Sequence, residues 1–142
     1  MKLKKSSHSV YKTQYHIVFV TKYRRKILTK GVVQYLKAVF LEIQKFRPNV
    51  EIIEVGMDVD HVHLYLVIPP KYAVSHIVRD IKSNTSRRLK GKFEFLEKVY
   101  WGTDSLWSKG FFVSTVGIDE NTIKNYVQWQ GLQDTGQAKL EL

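Results

Sequence analysis

The apolar residues of this chain recur at two different periods, and the order in which those periods alternate limits the fold more than any single residue does. β-Branched and aromatic residues crowd residues 15–21, 50–57, 61–68 and 111–116, and these four segments read as strands. In residues 30–46 the apolar positions Val32, Val33, Leu36, Val39, Phe40, Ile43 and Phe46 recur at helical spacing, and Pro48 ends the run. Residues 74–89 repeat that pattern with Val78, Ile81, Thr85 and Leu89 facing inward, after Pro69 and Pro70 have closed the preceding strand. An aromatic connection over residues 100–107 leads to the fourth strand. Asp119 then suits the N-cap of a last helix over residues 120–130.

The order is strand, helix, strand, strand, helix, strand, helix. Its first six elements match the split βαβ pattern, so the expected class is α+β. The expected architecture is a ferredoxin-like (RRM-like) antiparallel sheet with helices on one face and an extra C-terminal helix carrying Tyr126. In that topology the first and third strands are central, and the second sheet face is bare unless the last helix, a ligand or another subunit covers it. That face is where a site is expected.

At 142 residues the chain fits one domain, 1–142, with a core over about 11–132, a basic lead-in and a polar tail after Gly131 expected to be partly mobile. There is no cysteine, which excludes disulfides and thiolate zinc sites and suits a reducing cytoplasm. No apolar stretch follows the basic start, and no run of about 18 apolar residues exists. A cytoplasmic protein without membrane contact is expected. Twenty-three Lys and Arg against thirteen Asp and Glu leave a net charge of +10, which favours a polyanionic partner through phosphate contacts.

Two constellations carry candidate chemistry. In Asp60-His61-Val62-His63-Leu64-Tyr65-Leu66, residues two apart on a strand share a face. His61 and His63 therefore stand side by side, opposite Val62, Leu64 and Leu66. Two neutral imidazoles suit a divalent metal; two half-exposed strand histidines with ordinary hydrogen bonds give the same pattern. In the last helix Tyr126 and Gln130 are one turn apart on one face. The phenol can attack phosphorus and the amide carbonyl can supply a third metal ligand. A tyrosine packed on the sheet beside a surface glutamine is the structural alternative, and the chain has eight tyrosines.

Taken together, the histidine pair and the helix with Tyr followed four residues on by Gln resemble the single-tyrosine HUH endonuclease superfamily, and within it the IS200/IS605 family of transposases. The resemblance extends through residues 15–26 (YHIVFVTKYRRK), 57–63, 86–89 (SRRL) and 106–117 (LWSKGFFVSTVG), and covers roughly residues 11–132. It implies that Tyr126 attacks a phosphate of single-stranded DNA, giving a 5′-phosphotyrosine and a free 3′-OH, after which another 3′-OH reseals the strand. It implies Mg²⁺ or Mn²⁺ held by His61, His63 and Gln130, DNA ends folded as imperfect hairpins, and a homodimer with composite active sites.

Candidate DNA-backbone contacts are Lys22, Arg24, Arg25 and Lys26 in the first loop, and Arg79, Lys82, Ser83 and Ser86, with Lys90, on one face of the second predicted helix. Tyr23 and the aromatics of residues 100–107 can stack on unpaired bases, or fill core and interface. His16 lies beside the histidine pair and is not counted as a ligand. Three competing readings stand beside the transposase. One is a domesticated relative acting on repeated hairpins. Another is a non-catalytic RNA- or single-stranded-DNA-binding module of the same fold, and the third is a metal phosphodiesterase that needs no tyrosine.

Overall fold

The computed structural model describes all residues except 1, 2, 6–9, 12, 116, 118 and 137–142, and no side-chain detail for residues 4, 5, 10 and 11. Near the N-terminus, β1 (Lys4–Lys5) pairs with β2 (Val10–Tyr11) in a small antiparallel ribbon. The main elements follow as β3 (Gln14–Val20), a 3-10 turn (Lys22–Arg24), α1 (Lys30–Phe46), β4 (Glu51–Asp58), β5 (His61–Val67), α2 (Val74–Lys92), α3 (Glu94–Val99), β6 (Phe112–Ser114) and α4 (Glu120–Asp134).

The main sheet has the order β4-β5-β3-β6 with every neighbour antiparallel, so the first and third of its strands are central, as expected. Ile53 is an extra residue between the pairs Ile52–Leu66 and Glu54–Tyr65, a bulge in the edge strand β4. On one sheet face, Ile17 and Phe19 of β3 and Val62, Leu64 and Leu66 of β5 form the main core. They pack with Leu36 and Phe40 of α1 and Ile77, Ile81 and Leu89 of α2. Trp107 stands edge-on to Phe19, with ring centroids 4.7 Å apart, and its indole N–H donates to Thr85 Oγ1 at 2.8 Å. The helix period placed Val78, Ile81, Thr85 and Leu89 correctly, and all four are buried. Phe46 departs from it: at the last turn of α1 it is 86% exposed.

The second face is partly covered by α4. Val18 and Val20 of β3 form a smaller cluster with Val127 of α4, flanked by Phe112, Ile123 and Tyr126. Asp119 caps this helix, its carboxylate accepting from Thr122 N–H at 2.7 Å. The helix runs beyond the expected Gln130 to Asp134, and a turn at residues 135–136 follows it. Likewise α2 continues to Lys92, and α3 is a short helix that the aromatic composition did not announce. The last strand is shorter than residues 111–116, and Val116 lies outside the described residues.

Leu64 sits at the centre of the buried sheet face with no exposed surface. Leu64→Ala is expected to lower unfolding free energy by about 2–5 kcal/mol. The same change at Leu41, 68% exposed, should stay within about 0.5 kcal/mol. Urea midpoints of the two variants check this directly.

Candidate active site

The alternation of β5 gives two surfaces from one strand. Val62, Leu64 and Leu66 are fully buried in the core, whereas His61, His63 and Tyr65 project to the α4 side. The antiparallel register puts His16 opposite Tyr65, Val18 opposite His63 and Val20 opposite His61. The histidines therefore stand one strand over from the valines on which α4 rests, a separation of about 4.8 Å between strands. Gly56 is across from His63 on β4, and a Cβ there would lie 3.7 Å from His63 Nδ1, ordinary contact distance.

The two imidazoles have different surroundings. His61 Nδ1–H donates to Asp60 Oδ1 at 2.9 Å, which fixes the ring and leaves Nε2 as the free lone pair. Asp60, 7% exposed, is itself held by Arg24, whose Nε lies 3.4 Å from its other oxygen. His63 Nε2 is 3.4 Å from His16 Nδ1, and the His16 ring stacks on Tyr65 with centroids 4.1 Å apart. Burial lowers the His63 pKa, the neighbouring His16 and His61 lower it further, and Glu54 partly opposes them. His63 is thus held towards the neutral form that a metal ligand requires.

On α4, Tyr126, Gln130 and Asp134 follow one another at four-residue spacing and hydrogen-bond in series. Tyr126 OH donates to Gln130 Oε1 at 3.2 Å, and Gln130 Nε2 donates to Asp134 Oδ1 at 3.2 Å. A carboxylate only accepts, so Asp134 fixes which end of the Gln130 amide points at the tyrosine. Asp134 also accepts from Tyr23 N–H at 2.9 Å and from the Ser108 hydroxyl, tying α4 to the 3-10 turn and to the segment before β6. Gly131 lets that turn approach: a Cβ there would stand 2.2 Å from Arg24 Cδ. Gln130 is buried, not a surface glutamine. Burial, and secondarily the Asp134 charge, push the Tyr126 phenol well above its ordinary range, so it is protonated at neutral pH.

Tyr126 and Gln130 line an open cavity of about 580 Å³ together with Lys22, Tyr23 and Lys109. The helix α4 and the histidine pair share one sheet face, and among the described residues no hydrogen bond joins Tyr126 or Gln130 to either imidazole. Nor, among the described residues, do three His, Asp or Glu side chains gather to hold a metal. Two imidazole nitrogens and one amide oxygen are donors of a kind that suits a divalent cation, but neither His61 nor His63 lines the cavity in which Gln130 stands.

The other candidate residues separate by role. Arg79, Lys82, Ser83 and Ser86 all line a groove of about 470 Å³ between α2 and residues 104–111. Within it, Lys82 donates to Ser108 O at 2.6 Å and Gly110 O at 2.8 Å, and burial lowers its pKa to about 8 despite the Asp134 charge. It fastens the loop that carries Ser108. Ser86 is buried and accepts from Leu106 N–H, while Arg79 and Ser83 are exposed. Of the first loop, Arg24 serves Asp60, Arg25 donates to Val99 O and Lys26 is exposed. Asp134 and Ser108 were missed by sequence reasoning, although Asp134 continues the four-residue spacing of Tyr126 and Gln130.

Residues 9–130 match the family model described as IS200-like transposase. The chain belongs to the IS200-like transposase family, a class of DNA endonucleases and strand-transfer enzymes. The transposase for insertion sequence element IS200 of Salmonella typhimurium is 31% identical over 131 residues, covering 92% of this chain and 85% of that protein. The ISDra2 transposase TnpA of Deinococcus radiodurans is 31% identical over 133 residues, covering 92% of each. A crystal structure from Deinococcus radiodurans R1, of a protein assigned as a transposase, superposes with a TM-score of 0.76 at 30% identity, covering 89% of this chain and 97% of that one. A REP-associated tyrosine transposase, solved bound to a REP hairpin, shares the fold with a TM-score of 0.52 at 16% identity, covering 94% and 76%. Among the described residues no helix is long and apolar enough to cross a membrane.

A folded pKa below the unfolded value makes His63 a pH-linked group. Its contribution to stability is fully present above the unfolded pKa and is lost as pH falls through that value towards the folded one. NMR titration should place the His63 midpoint below 6.5, and His16→Ala should raise it. A midpoint unmoved by His16→Ala would contradict the geometry.

Proposed function

We propose that this protein binds hairpin ends of single-stranded DNA and cleaves and rejoins the strand through a 5′-phosphotyrosine on Tyr126. The observation that carries this reading is the placement of Tyr126–Gln130 and His61–His63 on one sheet face, each pair held by a carboxylate. Asp134 orients Gln130, and Asp60 orients His61.

In this mechanism the Tyr126 oxygen attacks the scissile phosphorus, forming the O–P bond as the 3′ oxygen departs. The phenol gives up its proton in this step while the departing 3′ oxygen takes one up to become the free 3′-OH, and burial opposes ionisation of the phenol before that transfer. Gln130 Oε1 accepts the phenolic hydrogen bond and keeps the hydroxyl directed into the cavity. A 3′-OH then attacks the phosphotyrosine, the O–P bond to Tyr126 breaks, and the strand is resealed without an external energy source. Lys22 and Lys109 line the cavity and supply positive charge for the DNA backbone. His61, His63 and Gln130 would hold Mg²⁺ or Mn²⁺, which supplies Lewis-acid stabilisation of phosphate charge when bound. In the same reading the protein works as a homodimer, its α4 helices exchanging at residues 117–119, where Gly117 is exposed and unencumbered.

The test uses labelled single-stranded DNA from the sequence bordering the gene, with and without Mg²⁺ or Mn²⁺, read on denaturing gels. A metal-dependent covalent adduct is expected, absent in Tyr126→Phe and in His61→Ala. Asp60→Asn should weaken metal binding about 10–100-fold while leaving the nucleophile in place. DNA binding without any adduct, unchanged by Tyr126→Phe, would leave a hairpin-binding module instead.

A further inference from the structure

The tyrosine cavity carries groups that phosphoryl transfer does not use. Besides Tyr126 and Gln130, its walls include Tyr23, Phe111 and Trp129, flanked by Lys22 and Lys109. Tyr23 is 42% exposed, unlike Tyr100 and Trp107, which are buried in the core. Lys22 Nζ lies 5.8 Å and the Arg25 guanidinium 5.4 Å from its ring centroid. The backbone that presents it is unusual: Tyr23 and Arg24 are both left-handed, with φ of 62° and 54°. Non-glycine residues rarely hold that conformation unless their surroundings enforce it, and here the Tyr23 N–H is anchored on Asp134. A strained turn thus keeps an aromatic ring at the rim of the cavity. Trp129 Nε1 is buried with no hydrogen-bond partner among the described residues, an uncommon state for an indole donor.

We propose that this cavity seats one unpaired nucleobase of the DNA strand, next to the phosphate that Tyr126 attacks, stacked on Tyr23. The inference rests on the reading of Tyr126 as nucleophile. A cavity of about 580 Å³ is of the size that small ligands fill. A base inside a duplex stem offers no free face, so the occupant is unpaired. Aromatic faces bind any base by stacking, and the flanking lysines hold the backbone. The seat therefore places the strand, and the phosphate beside the seated base falls to Tyr126.

The experiment uses single-stranded oligonucleotides from the DNA bordering the gene, each with 2-aminopurine at one successive position. Fluorescence is read with the Tyr126→Phe protein, so no cleavage is needed. One position should be quenched on binding. Adding Tyr23→Ala should abolish that quench and weaken binding roughly tenfold, while adding Tyr23→Phe, which keeps the ring, should preserve both. Circular dichroism checks that each variant is folded. Cleavage by the wild-type protein, mapped on the same oligonucleotides, should fall beside the quenched position. Absence of any Tyr23-dependent quench overturns the seat, and a cleavage position remote from the quenched base overturns its placement. A Tyr23-dependent quench with no wild-type adduct supports the base seat and rejects the nucleophile reading, so the two failures are told apart.

Discussion

Because β5 is a central strand, its side chains must satisfy two different surroundings at once. Val62, Leu64 and Leu66 face α1 and α2 and lose all contact with water, which fixes the strand's register: a slip of one residue would drive His61 and His63 into the core. The hydrophobic core therefore positions the imidazoles. Their spacing is set by the pleat, their neighbours by the pairing with β3, and neither depends on a flexible loop.

The helix opposite is fixed by different physics. Few apolar contacts hold α4 to the sheet, chiefly Val127 against Val18 and Val20. Polar ties do the rest, and Asp134 gathers most of them by accepting from Gln130, from Ser108 and from the backbone of Tyr23. A second carboxylate, Asp60, joins Arg24 to His61. Since Arg24 packs on Gly131 and Tyr23 is bonded to Asp134, the 3-10 turn links the histidine side of the site to the tyrosine side. Asp60 is buried and Asp134 half-buried, and a carboxylate drawn away from water is costly without donors, so each of these acids holds the groups that donate to it.

Sequence pattern made the architecture legible because burial on one face of each element leaves a period: two for β5, 3.6 for α1 and α2. It also exposed the histidine pair and the Tyr126–Gln130 step, which depend only on local geometry. What it could not show were relations that the chain order hides. Lys82 reads as a phosphate contact on a basic helix face, yet its ammonium is committed to the carbonyls of Ser108 and Gly110, 26 and 28 residues away. Arg24 likewise reads as a free cation and is spent on Asp60. Gly131 lay just past the expected helix, whereas the helix continues through it and its missing side chain makes room for Arg24. Phe46 keeps the helical period, yet it stands at the last residue of α1 and is exposed.

The family membership and the two carboxylate-held pairs converge on one chemical claim, that Tyr126 forms the covalent bond to DNA. Mass spectrometry of nuclease-trimmed, protease-digested reaction mixtures tests it most directly. The account predicts a nucleotide remnant on the peptide containing Tyr126, attached through the phenolic oxygen. A remnant on another of the eight tyrosines, or cleavage that yields a free 5′ phosphate with no modified peptide, would contradict it.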